Sequence, residues 1–566
     1  MTVETACHEW CTQNLRGLAR MDGLGGLWRC GRSLPFVLRA CLGLCWTSGV
    51  VAAADDAVRV VQTLDAKGEI FAPTGRGADP VRRPITVAGR FHFVQEPAPP
   101  AEKVPPKTPE KGQTPERDAE KAEKTEKGQA SFGPSSGREM SSRAIKVLAV
   151  RRYDEAGADL WIDGVPTAST LGLDARTVQV AIVGTAPAPH LADAPLTREE
   201  ADLLNLPLDP LLLERLRPAG GPGVGMTWKV AADAAAGLLA IDAIESGGLS
   251  GAVVEIAREK CTLKVSGTVE GAVDGVPTRL VVDAIGTVPI RPAGAPDAGE
   301  IGGENGDFNA DETAPGLEFA GLHDRWVATI REHRQASHVA PGFKLEARVT
   351  VSCLPITAPR GGDAGQTPAD SPTTVPSAAR RPAGGGPGRI WYHDPAGRYD
   401  LVHDARWRLV EEGDAGAIFR FIDRGTLVGQ CSITALPRVS AAVTTGVAEV
   451  QRDIENSLGS QFGQFAGTAE AVEDDGTRIV RVVSLGTAES LPFRWIHHVI
   501  TDSRGRRATA AFMVQESLAG RLGDADRDMI AGLRFPQPGD GSGRAADTVE
   551  KPVAREARLP RETAPP

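Results

Sequence analysis

The chain has 566 residues, too many for one ordinary domain, and its length predicts two to four units. A net charge of −10 with only 5% aromatic residues excludes the basic, ring-bearing face that nucleic acid requires, and it argues against anionic membranes as partners. Apolar residues make up 41% of the chain, enough for real cores, whereas glycine and proline gather in charged or small-residue runs that read as linkers.

Near the N-terminus, Arg29 and Arg32 precede a mostly apolar stretch over 34–51, and Ala52-Ala53-Ala54 offers the small residues that a signal peptidase accepts. A leader over 1–54, cut after Ala54, is therefore expected, with Met21 as an alternative start. The apolar run is broken by Arg39 and falls short of the roughly 20 residues that a permanent membrane helix takes. Export to the periplasm or cell envelope, with no permanent span after cleavage, follows from this reading. A lipid anchor at Cys45 or Cys41 is the alternative, with Leu44 and Arg39 set against it. Five cysteines fall before the cut, leaving Cys261, Cys353 and Cys431, an odd set in which at least one thiol is unpaired. Cys7-His8 with Cys11 lacks the second ligand pair of a structural zinc site.

The first unit, 55–354, reads as antiparallel strands. Segments 58–70 and 84–94 alternate, a Pro/Lys/Glu tract over 96–142 reads as a disordered insertion, and strand sequence resumes at Arg143. Thr197 and Glu200 have capping-box spacing, and Asp209-Pro210 places a proline at a first helical position, so two short helices are predicted. Beyond a turn-rich stretch over 218–225, strands return at 226–230, 252–258, 262–269 and 278–289, with Asp274-Gly275 as a hairpin turn. An acidic loop over 292–315 precedes a last hairpin, 326–338 with 343–353. A Pro/Gly/Ala/Thr-rich linker over 355–388 follows.

The second unit, 389–535, opens with a hairpin that sets Ile390-Trp391-Tyr392 against Tyr399-Asp400-Leu401 around Asp394-Pro395-Ala396-Gly397. Strands at 417–422 and 431–436 come next. Val447, Val450, Ile454, Leu458, Phe462 and Phe465 recur at three- and four-residue steps, predicting a helix from about Thr445. Two strand pairs turn at Asp474-Asp475-Gly476 and over 502–505, Asp524 caps a closing helix, and 536–566 reads as a frayed tail.

Gly397-Arg398-Tyr399-Asp400-Leu401 leading to Trp407, then an amphipathic helix, antiparallel strands and a short last helix, resembles the PsbP-like and Mog1-like family over about a quarter of the chain. The resemblance implies a compact antiparallel sheet flanked by helices, used in accessory or scaffold roles. The first unit, with many strands, few helices and an export signal, is similar to the curved half-barrels of exported lipoprotein carriers. The fold expected is thus α+β and mostly antiparallel β: a curved sheet or half-barrel with short helices, then an antiparallel sheet flanked by helices.

Candidate chemistry is sparse. His393-Asp394 and His403-Asp404 form a repeated pair, but with His393 facing Arg398 in the hairpin, His403 lies roughly 16 Å farther along. His497-His498 sits in a strand, where neighbours point to opposite faces, one to the core edge and one to water. Trp407 and Trp495 read as core anchors. Ser250 in Gly247-Gly248-Leu249-Ser250-Gly251 lacks a nucleophile elbow's final glycine, since Ala252 stands there, and Gly221-Pro222-Gly223-Val224-Gly225 opens no helix. No catalytic residue, cofactor or metal ligand is assigned. The expected role is an exported, non-enzymatic binding or scaffold protein for an unknown protein or apolar small molecule. One alternative is a carrier of a lipid-like ligand in the first sheet, with Leu203 and Leu204 at its mouth; the other is a hydrolase using His403 or His497.

Overall fold

The computed structural model describes residues 57–72, 81–98, 146–183, 186–205, 207–218, 220–239, 241–292, 317–320, 324–335, 342–356, 381–440 and 446–536. The expected cleavage site at Ala52 and Ala54, and most or all of the predicted insertion, acidic loop, linker and tail, lie outside these residues.

The first unit is a thirteen-stranded sheet built around its first strand. Strand β1 (Val58–Ala72) pairs antiparallel with β2 (Val81–Pro97) on one side and, on the other, with β14 (Gly342–Pro355), so the beginning and end of the unit meet. Outward from β2 come β3 (Val147–Ile162), β5 (Thr177–Val183) and β6 (Ala186–His190), with β4 (Val165–Thr170) paired to β3. Outward from β14 come β13 (Arg325–Arg334), β11 (Val276–Pro292), β10 (Lys260–Val273), β9 (Ala243–Ala257) and β8 (Thr227–Lys229), with β12 (Leu317–Phe319) on β11. The predicted last hairpin is β13 against β14. At the predicted hairpin turn, Asp274 (φ 53°) and Gly275 (φ 74°) both lie in the left-handed region that a tight two-residue turn demands.

Alternation fixes which face is inside. Along β11, even-numbered residues from Val276 to Ile290 are all buried, and at Gly286 the missing side chain makes room: a Cβ there would lie 2.2 Å from the indole of Trp326 on β13. An open sheet of this width curls around whatever covers its apolar face. The cover is a helical segment inserted between β7 (Leu196–Thr197) and β9: α1 (Arg198–Leu204), α2 (Pro210–Leu213) and α3 (Ala232–Leu239). Its leucines and those of the strands form one core. The third helix was not expected from the sequence; Ala232 to Leu239 is almost all small and apolar and carries no start signal of the kind seen at α1 and α2.

The second unit is a seven-stranded antiparallel sheet in the order β17 (Trp407–Gly413), β18 (Gly416–Asp423), β19 (Thr426–Leu436), β23 (Arg507–Gln515), β22 (Leu491–Thr501), β21 (Arg478–Ala488) and β20 (Phe462–Val472). Helix α4 (Val447–Leu458) packs Val450, Ile454 and Leu458 on one face. The predicted stripe is cut short: Gly459, at φ 51°, ends the helix, and Phe462 and Phe465 belong to β20, their rings 4.7 Å apart. The other face carries α5 (Ala519–Leu522), α6 (Ala525–Ala531) and the hairpin β15 (Arg389–His393) with β16 (Asp400–Asp404). Asp524 precedes α6, but its carboxylate accepts from Arg527 and caps no backbone N–H.

The hairpin joins the two units. It lies between β24 (Leu533–Arg534) and β7, and β15 pairs with β7 in parallel, Ile390 opposite Leu196 and Trp391 opposite Thr197. Part of the predicted linker is docked as well: Arg381 donates to Glu200 at 2.5 and 2.7 Å and to Asp174 at 2.6 Å. Arg408, just past the hairpin, meets Asp274 of the β10–β11 turn at 3.1 Å.

Candidate functional site: the inner face of the large sheet and its helical cover

The cover is held at its ends by polar groups and between them by leucines. Thr197 accepts from the Glu200 N–H at 3.2 Å, and the Glu200 carboxylate accepts from the Thr197 N–H at 2.9 Å, the reciprocal box its spacing predicted. Leu203, Leu204, Leu208, Leu212, Leu213 and Leu216 are all buried in the sheet's core. The two residues expected to line or cover a mouth, Leu203 and Leu204, belong to the cover itself and are packed into the core it shares with the sheet.

Asp209 is the central fastening. Its Oδ1 accepts from the Leu211 N–H at 2.9 Å, capping α2. The same carboxylate takes both terminal nitrogens of Arg151 on β3, at 2.6 and 2.8 Å, while Arg151 Nε donates to Gln95 Oε1 at 2.9 Å. Arg151 is 1% exposed and its guanidinium lies 5.1 Å from the Phe93 ring centre. Burial works against its charge, but the Asp209 carboxylate outweighs burial and holds the guanidinium protonated more firmly than usual. Nearby, Gln62 on β1 donates to the Pro207 carbonyl. Burial and the same carboxylate push the Cys353 thiol up to about 12, far from nucleophilic, and burial also raises the Tyr153 phenol.

A second charged group sits farther along the same face. On β13 the residues Trp326, Ala328, Ile330, Glu332 and Arg334 point inward. Arg334 is 1% exposed, lies 4.5 Å above the Phe343 ring, and donates from Nη2 to Glu332 Oε1 at 2.9 Å. Its Nε and Nη1 are buried with no acceptor. Burial raises the Glu332 carboxyl, and Arg334 opposes that rise.

The residues singled out from sequence lie elsewhere and are not brought together. In the hairpin His393 faces Asp400 instead of Arg398, because the connection runs from Asp394 to Tyr399, two residues longer than expected; His393 Nδ1 is 2.7 Å from Asp400 Oδ1. His403 faces Ile390, packs edge-on against Phe419 and is pushed down to about 4 by burial. His497 and His498 do point to opposite faces of β22: His498 is buried and His497 is half-buried. Nε2 of His498 is 3.0 Å from Asp526, which also binds Arg481, and Nε2 of His497 is buried. Trp407 and Trp495 are buried at 1% and 0% exposure. Ser250 lies mid-strand on β9, not at an elbow, and Gly221 to Gly225 form a turn before β8. Cys261, Cys353 and Cys431 are all free and buried. Among the described residues no three His, Cys, Asp or Glu side chains gather as a metal site.

Sequence reasoning missed both inner arginines. The signal was present: Arg151 is in phase with Ala149 and Tyr153, and Arg334 with Trp326, Ala328 and Ile330, so each is a charge on an apolar stripe.

No family model matches the chain, and no curated protein matches it. Among solved structures, cyanobacterial PsbP from Synechocystis sp. PCC 6803 is similar over 26% of this chain and 93% of its own, with 15% identity and a TM-score of 0.23. A protein of unknown function from Pseudomonas aeruginosa is similar over 26% of this chain and 98% of its own, with 14% identity and a TM-score of 0.17. The similarity to PsbP-like proteins is thus partial, and the likeness of the first unit to lipoprotein carriers finds no support in these comparisons.

Proposed function

We propose that the chain is an exported, non-enzymatic binding protein that takes an apolar ligand on the inner face of the large sheet, the helices α1, α2 and α3 giving way to admit it. The observation that carries this reading is the nature of the cover: three helices of 7, 4 and 8 residues, fastened through Asp209, Gln62 and the Arg381–Glu200 pair and seated on the sheet by leucine packing, with β8 between α2 and α3 staying paired to β9. Helices this short are not stable on their own and owe their shape to the surface they cover. An apolar ligand competes for the same surface by the same force, about 25 cal/mol per Å² removed from water. The leucines of the segment can then pack on the ligand as they now pack on the strands.

Native mass spectrometry of the mature chain, purified from its own compartment under mild conditions, tests the reading. A retained lipid-sized mass that leaves on exposure to detergent is expected. A chain that flies at its bare mass and binds no apolar fluorescent dye would return the molecule to the scaffold reading.

A further inference from the structure

We propose that Arg334 anchors the anionic head group of an amphipathic ligand whose apolar chain lies along the inner faces of β13 and β14. The proposal rests on the binding reading above and adds the chemical class of the ligand. Its first support is the contrast between two arginines on one sheet face. Arg151 meets acceptors with Nε, Nη1 and Nη2, whereas Arg334 meets one through Nη2 and leaves Nε and Nη1 buried without any. A buried donor left unmet costs about 1–3 kcal/mol, more on a charged group, so native structures keep one chiefly where something else supplies the acceptor.

The surroundings narrow what that acceptor is. Phe343 lies under the guanidinium, Ile70 stands across from Phe343 on β1, and Ile330 is the next inward residue but one on β13. Thr278, directly opposite Arg334, spends its hydroxyl proton on the Val276 carbonyl. Glu332 is the nearest carboxylate, and Asp274 beyond it is engaged by Arg408. Burial raises the Glu332 carboxyl, and Arg334 opposes that rise, so this carboxylate takes up one of the arginine's donors and leaves the other two for an incoming anion. An apolar track leads away from this point: the inward residues of β14 from Phe343 to Val351 span about 26 Å at strand rise, long enough for an extended acyl chain. A charged donor at one end of such a track fits a long-chain carboxylate or a monoalkyl phosphate.

The full mature chain is titrated with hexadecanoic acid, hexadecyl phosphate and hexadecanol, each displacing an apolar fluorescent dye. The acid or the phosphate should bind at least about tenfold more tightly than the alcohol, the scale of one charge-assisted hydrogen bond, and the tighter of the two identifies the head group. R334M should erase that preference, and E332Q, which keeps the arginine, should preserve or raise it. R334K supplies a charged control if R334M fails to fold. Equal binding of acid, phosphate and alcohol, or a preference untouched by R334M, overturns the anchoring role and leaves the binding reading intact. Failure of the dye and all three amphiphiles to bind overturns the binding reading itself.

Discussion

Arg151 and Arg334 are sunk equally deep into one face of one sheet, each against a phenylalanine ring, and the sheet treats them differently. Around Arg151 the chain supplies a full set of acceptors, and the strongest, Asp209, comes from the cover instead of the sheet. Around Arg334 it supplies one carboxylate from the same strand and leaves donors unmet. A buried guanidinium with every acceptor in place fixes the structure that provides them. One with donors to spare is ready to take a partner. The first arginine therefore closes the interior, and the second is the polar point within it.

The comparison can be broken most severely at Asp209. D209A leaves Arg151 charged and alone, and should cost about 3–5 kcal/mol in urea unfolding of the first unit. Replacing both partners, R151M with D209L, should recover most of that loss, and failure to recover would mean that Asp209 matters for capping α2 more than for pairing.

A third buried base tests whether burial alone explains the difference. His403 is held neutral, pushed down to about 4 by burial from the ordinary imidazole value of about 6.5. With its folded value depressed, its contribution is fully present above pH 6.5 and is lost as pH falls toward 4, to the extent of ~3 kcal/mol. H403L should flatten that part of the stability profile. An unchanged acid limb would place the lost protons elsewhere.

At the edge of the cover, R381A removes the clamp on Glu200 and Asp174 and should cost about 1–2 kcal/mol, read as faster amide exchange in α1 with the strands unaffected. The smallest effect belongs to the Arg334 pair: R334M with E332L gives up one hydrogen bond and two unmet donors together, and should shift unfolding by only about 1 kcal/mol. A loss as large as that of D209A would show that the two arginines do the same job.

Much of this architecture was legible in the chain. Period-two alternation announced the long strands, Asp274-Gly275 announced its turn, and Thr197 with Glu200 and Asp209 with Pro210 announced two helix starts, because each signal is local. What was not legible depends on distant partners. Ala232 to Leu239 has no capping signal and is helical because the inner face holds it. Phe462 and Phe465 continue a helical spacing, but Gly459 turns the chain into β20. The roles of Arg151 and Arg334 needed partners 58 residues away and 2 residues away, and only the second of these lay within reach of a sequence pattern.

The central claim is that the cover yields to a ligand. Hydrogen–deuterium exchange of the chain, with and without a saturating long-chain amphiphile, measures it directly. Helices α1, α2 and α3 should exchange faster when the amphiphile is bound, while β1, β8, β13 and β14 stay as protected as before or become more so. A helical segment equally protected in both states, with the amphiphile demonstrably bound, would place the ligand elsewhere on the molecule.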